Sequence, residues 1–491
     1  MTGFANLTGF DKKTMKVKTE VIAGIVTFLA MAYILTLNPL LMLNLSGDNQ
    51  EFKHLYSSVF VATALGGFIG TLLMALYAKL PLAQAPGLGF NSMIGGLLGG
   101  SLIGYSISFG NAMLLVFFSG VLFLLLSMLK VHGLSIREII YKAMPESIRK
   151  AISVGIGLFI AIIGLANAGI IGAGEGTVIS LVSLSSWDMS KVGPAFVCLF
   201  GFLVIAILSH FKINSAVIIG ILSATVLGMI PAIGVTKWSG LTWNFWEYFQ
   251  NFFSFSTAEG GTFFAAFTEG FNFPEGTPVM SLIMVIITFC MVDMFDTMGT
   301  CVGCCSAAGL LDENGMPRNY SRIMLADSLA TTAGALLGTS TVTTFVESGT
   351  GVSAGGRSGL TSLSTAVMFL LSIFFLPVFA SIPLEAASSA LVWVGCLMLK
   401  SAKEIKVDNV KEFVPTFLTI AMMPFAYSIT AGIGFGVLSY VLIDVCEYVV
   451  KLISYAASKK EDKEKPVWDL HVVLLIIAAL FIVYFFVPVS L

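Results

Sequence analysis

Charge is what this sequence has least of. Only 11% of its 491 residues are Asp, Glu, Lys or Arg, against about a quarter in soluble domains, so it cannot clothe a water-exposed surface of that size. The 26 basic and 28 acidic residues leave a formal net charge of −2, and no nucleic-acid partner is expected from so even a balance. Histidine is almost missing. His54, His132, His210 and His471 fall at or near the ends of apolar runs, so proton chemistry inside a membrane has to use carboxylates. Cysteine is sparse, and its one cluster, Cys301, Cys304 and Cys305, has neither a second Cys pair nor a nearby His to complete a metal shell. The glycine-rich stretches lack a following Gly-Lys-Ser/Thr, which removes a nucleotide loop. With no nucleophile–base pair in view, an enzyme is not expected, and no cofactor or metal is called for.

What fills the chain is hydrocarbon. Hydrophobic residues make up 57% of it, in roughly fourteen or fifteen runs long enough to cross about 30 Å of bilayer. The fold class is an all-α polytopic membrane protein with the lipid bilayer as its solvent. The predicted spans before a long acidic loop are Val21–Leu43, Tyr56–Ala78, a broken Leu82–Tyr105, Ala112–Leu129, Ile152–Ile171, Phe196–Phe211 and Ser215–Ile233. Those after it are Ser281–Cys304, Ile323–Gly338, a broken Thr341–Leu360, Thr361–Phe379, Ala387–Leu399, Phe413–Tyr427 and Ala431–Val450. A further run, Val472–Val487, is a candidate extra C-terminal helix. The N-terminus is polar and lacks a signal-peptide layout. Lys and Arg gather at 12–18, 130–150, 318–322, 400–411 and 451–465, which places those segments and the N-terminus in the cytoplasm.

The two sets of seven spans look related. ATALGGFIGT at Ala62–Thr71 matches ATTAGALLGT at Ala330–Thr339 in five of ten places, and the broken spans share Gly-x-Gly, at Gly87 and Gly89 and at Gly349 and Gly351. Two more short matches, in the first and last spans of each set, keep the same order. Because seven is odd, the second repeat must be inverted in the membrane.

Thr341–Leu360, TVTTFVESGTGVSAGGRSGL, carries a carboxylate where hydrocarbon belongs. Its β-branched residues favour extended chain before Glu347 and its glycines weaken helix after it, so a short strand, a break and a half-helix are expected there. Leu82–Gly100 is broken in the same way. Irregular backbone at membrane depth survives only where protein or a water-filled cavity covers it, which makes the pair a candidate binding site. The eighth span places Asp293, Asp296, Thr297 and Thr300 at i, i+3, i+4 and i+7, on one face, and acids at that depth are functional by default. Glu347 at the break is expected to bind a ligand or couple a proton; its counterpart by the Gly-x-Gly match is Ala85. Asn91 offers an amide, Phe90 a stacking face or simple core, and Gly349 exposed backbone. Asp327 and Asp444 read as solvated or capping residues near cytoplasmic helix ends, and Arg357 as pairing with a carboxylate or, the reading preferred, snorkelling to the cytoplasm.

QAPGLGFNSM, VDMFDTMGT and TTFVESGTGVSAGGRSGLTS together resemble the adenine/guanine/hypoxanthine permeases, the purine branch related to the xanthine and uracil permeases, over nearly the whole chain. The resemblance implies two inverted seven-helix repeats with short strands in broken helices 3 and 10. It also implies a core domain, helices 1–4 and 8–11 (residues 21–130 and 281–382), moving against a gate domain, helices 5–7 and 12–14 (151–235 and 386–453). Residues 1–20 would then be a cytoplasmic N-terminus, 236–280 an external loop and 454–491 a basic tail with the extra helix. The function implied is purine nucleobase–proton symport across the cell membrane, with H+ co-transported and a homodimer among the assemblies allowed. By motif, Asn91, Asp293 and Glu347 fall on the family's substrate-binding positions and Asp296 on an important polar neighbour. Coupling then belongs to Asp293, Asp296 or Glu347, with Glu347 expected to bind and Asp293 to couple. An anion carrier on the same fold and a sodium-coupled nucleobase transporter are the alternatives.

Overall fold

The computed structural model describes residues 7–486 apart from 46–50, 101, 103–104, 132–133, 175–176, 183–188, 214, 232, 234, 236–242, 244, 313–315, 406–408, 427, 458–467 and 469. Part of the predicted external loop and most of the charged tail lie outside that description. Among the described residues eight helices are long and apolar enough to cross a membrane, and four shorter apolar ones accompany them. Every predicted span has a helix, including Val472–Phe486 at the C-terminal end.

Boundaries moved where polar residues start or lengthen a helix. The fifth span begins at Glu146 rather than Ile152, and the eighth runs from Val279 to Ala308. The first span, expected as one helix, is two: Val17–Met31 and Ile34–Met42. Pro39 removes the donor that Leu35 O would otherwise receive, and the chain tightens instead into i→i−3 bonds, Leu35 N to Ala32 O and Thr36 N to Tyr33 O.

Both broken spans contain the expected strand. β1 is Gln84–Pro86, and two small hairpins follow, β2 (Lys130–Val131) with β3 (Leu134–Ser135) and β4 (Ile171–Gly174) with β5 (Thr177–Leu181); β6 is Val342–Thr344. β1 and β6 pair antiparallel with Gln84 opposite Thr344, Ala85 opposite Thr343 and Pro86 opposite Val342. Phe345 N to Ala83 O and Gly87 N to Thr341 O extend the ladder at both ends. Two segments that could not satisfy their backbones alone in hydrocarbon thereby satisfy each other. Helix resumes at Leu88 in one and, for only six residues, at Ser348 in the other.

Contacts divide the chain into two compact units, Met1–Met128 with Ile160–Val394 and Leu129–Phe159 with Gly395–Leu491. The first holds the strand pair. Its core is crowded with small residues: Cβ atoms built on Gly66, Gly70 and Gly334, three of the repeat-matched glycines, would each come within 3.3 Å of Val342. On the helix Val192–His210, Phe196, Leu199, Leu203 and Ile207 form an exposed apolar stripe suited to lipid. In the second unit, Val410–Phe425 packs on Ile429–Ala457, and Lys411 bridges Asp444 and Glu447.

Candidate functional site

The site is built where helix 1 tightens, where span 8 passes and where the two strands cross. Glu347 caps the half-helix Ser348–Ser353 after β6, is buried, and accepts a 2.5 Å hydrogen bond from Tyr33 Oη. Tyr33 reaches it because it stands in the turn between the two halves of helix 1. Aligned by helix start, Glu347 corresponds to Gly87, the cap of Leu88–Leu98, and not to Ala85, which lies inside β1.

Asp296 is half-buried and within electrostatic reach of both Glu347 and Tyr33. Asp293 is fully buried and takes a 2.8 Å bond from Thr331 Oγ1, which also reaches Val342 O in β6. Thr297 shares a 2.7 Å hydroxyl contact with Thr343. The predicted polar face is therefore split. Asp296 and Thr297 are consecutive and so about 100° apart around the helix; Asp293 and Thr297 serve the strand side while Asp296 turns toward Glu347.

Asn91 lies on the first turn after β1, fully buried, and its Oδ1 accepts from Ser340 Oγ. Phe90 is buried in an edge-on contact with Phe289 at 6.0 Å, so its ring is held by protein on at least that side. Around Gly349 there is room: a Cβ there would meet only Cys304 Sγ, at 3.9 Å. By contrast a Cβ on Gly351 would sit 2.0 Å from Thr27 Oγ1, so the half-helix lies against helix 1 only because that residue is glycine.

One expectation is corrected. Asp327 is not solvated: it is fully buried and accepts a 2.6 Å bond from Gln84 Nε2, which also reaches Thr344. Half-buried Arg357 donates through its guanidinium to Val352 O and Gly356 O at the end of the half-helix. Its backbone N–H goes to Glu20, a buried carboxylate that also accepts from Ser358 N, Ser358 Oγ and Thr361 Oγ1. Tyr33, Asn38, Ser340 and Glu20 were not singled out from sequence. Asn38 beside Pro39 inside an apolar run was the one signal that could have marked helix 1. Among the described residues no cluster of His, Cys, Asp and Glu could hold a metal ion.

The fold is that of a helical membrane protein of two inverted seven-helix repeats, with paired strands in helices 3 and 10 converging on buried carboxylates. The transmembrane domain of a cyanobacterial bicarbonate transporter, BicA, shares the fold, with a TM-score of 0.57 over 85% of this chain and 97% of that one at 14% identity. The chain belongs to the xanthine/uracil permeases: the family described as the Permease family matches residues 18–435. The guanine/hypoxanthine permease PbuG of Bacillus subtilis is 36% identical, over 89% of this chain and 93% of its own length. The adenine permease AdeQ of Escherichia coli is 35% identical, over 88% of each. The protein is accordingly a multi-pass membrane permease.

Proposed function

We propose that the protein takes up purine nucleobases, adenine, guanine or hypoxanthine, by proton symport. The observation that carries this reading is the cluster of buried Glu347 and Tyr33 with half-buried Asp296 beside the paired strands. A purine is a flat neutral ring with donor and acceptor edges. Carboxylates, an amide and the backbone of a broken helix can match such edges, and a buried carboxylate can take up a proton together with the ligand. The names of the relatives support the substrate class. On this reading residues 21–130 and 281–382 carry the site as a core that moves against a gate, in elevator-type alternating access, with the N-terminus in the cytoplasm.

The shared fold also admits an anion carrier, and the site's charge opposes it: an anion would face Glu347 and Asp296 at close range. Competition against labelled adenine uptake in membrane vesicles decides between them. Purine bases should compete, and nucleosides and ascorbate should not. Strong competition by bicarbonate or sulfate with none by adenine, guanine or hypoxanthine would overturn the purine reading.

A further inference from the structure

A buried chain of hydrogen bonds runs behind Asn91, and its direction can be counted proton by proton. Thr63 Oγ1 donates to Val59 O at 2.6 Å, so toward Asn38 it can only accept. Asn38 Nδ2 therefore faces Thr63 at 2.6 Å and Thr339 at 2.8 Å, spending both its protons, and its oxygen is left toward Ser340. That oxygen is 3.4 Å from Ser340 Oγ, at the limit of a bond, whereas Asn91 Oδ1 is much closer. The single proton of Ser340 accordingly goes to Asn91 Oδ1. The Asn91 amide is thereby turned so that its NH2 group points away from the chain. That nitrogen is fully buried and meets no hydrogen-bond partner in the protein, and a buried donor left unpaired is costly.

We propose that Ser340, whose one proton is free for Asn91 because Asn38 spends its own two on Thr63 and Thr339, is a positioning residue that fixes the Asn91 amide as a donor only, so that the ligand group meeting it must be an acceptor, a keto oxygen or an unprotonated ring nitrogen. The inference rests on the purine reading and adds a selection rule to it. The carboxylates at Glu347 and Asp296 accept when ionised, and Asn91 supplies the opposite polarity. A ligand with a donor and an acceptor on neighbouring positions satisfies both.

The test uses the full-length protein in vesicles and hypoxanthine analogues in which one acceptor is lost or weakened: the 3-deaza and 7-deaza compounds, and 6-mercaptopurine, which keeps N1–H but carries a weakly accepting sulfur in place of the 6-oxygen. On the wild type at least one should compete about tenfold more weakly than hypoxanthine, the scale of one lost hydrogen bond. In Ser340→Ala the amide is free to turn, and that deficit should shrink to about twofold or less, while Ser340→Thr, which keeps the hydroxyl, should retain it. A purely structural role would weaken all ligands alike; an unchanged pattern of deficits in Ser340→Ala therefore overturns the inference. Should Ser340→Ala fail to reach the membrane, Ser340→Cys, close in size and a far weaker donor, is read the same way. Wild-type protein that carries no purine would defeat the substrate reading instead, which is a separate outcome.

Discussion

At the scale of single residues, Glu347 and its tyrosine separate two functions that one carboxylate could combine. Glu347→Gln removes the titratable group and alters the acceptor; uptake should be abolished while membrane abundance, read by immunoblot, stays near normal. Tyr33→Phe leaves the acid and deletes one bond to a charged or chargeable group, worth about 1.5–3 kcal/mol, so kcat/KM should fall by about tenfold or more without loss of protein. Wild-type kinetics in that variant would mean the 2.5 Å contact has no part in transport. Asp327 calls for a different measurement. Its bond from Gln84 ties the ninth span to β1, so Asp327→Leu should strand a buried amide and lower detergent-solubilised stability by about 1–3 kcal/mol. Asp327→Asn, which keeps an acceptor, should do less.

The elements of the fold were legible to different depths. The broken spans announced themselves, because Thr, Val and Gly in a long apolar context cannot make an ordinary helix. The six-residue half-helix and the tightened helix 1 were harder to see. Ala-Tyr-Ile-Leu-Thr-Leu-Asn-Pro sits inside a long apolar run, and only Asn38 beside Pro39 betrays the irregularity. Asp327 was misjudged because its partner lies 243 residues earlier, a distance that no local spacing encodes, and Ser340 and Asn38 were hidden by the same kind of separation. A test at this scale targets two joints. Thr343→Pro takes a donor out of the central residue of β6 and should abolish uptake. Gly351→Leu would drive a side chain into Thr27 and Ala23 and should lower the melting temperature, overpacking of this kind costing about 1–3 kcal/mol.

For the whole molecule, the mechanism predicts how uptake answers an imposed gradient. If a proton must load before the purine is carried, uptake falls as external pH rises and collapses with a protonophore. An amide variant of the coupling acid would then still exchange labelled for unlabelled purine yet accumulate none. The choice among Asp293, Asp296 and Glu347 is read from which variant shows that split, and uptake driven by sodium and indifferent to pH would defeat proton coupling while leaving the purine site in place. The Glu20 clamp bears on something other than transport, namely how the protein is made. Glu20 is made with the first helix, but its partner Arg357 follows 337 residues later, on the order of 20–70 s at ordinary elongation rates. β1 waits nearly as long for β6. Through most of its synthesis a nascent chain therefore carries an acid and a strand edge whose folded-state partners do not yet exist, and the second repeat is what first gives the first one a reason to stay folded.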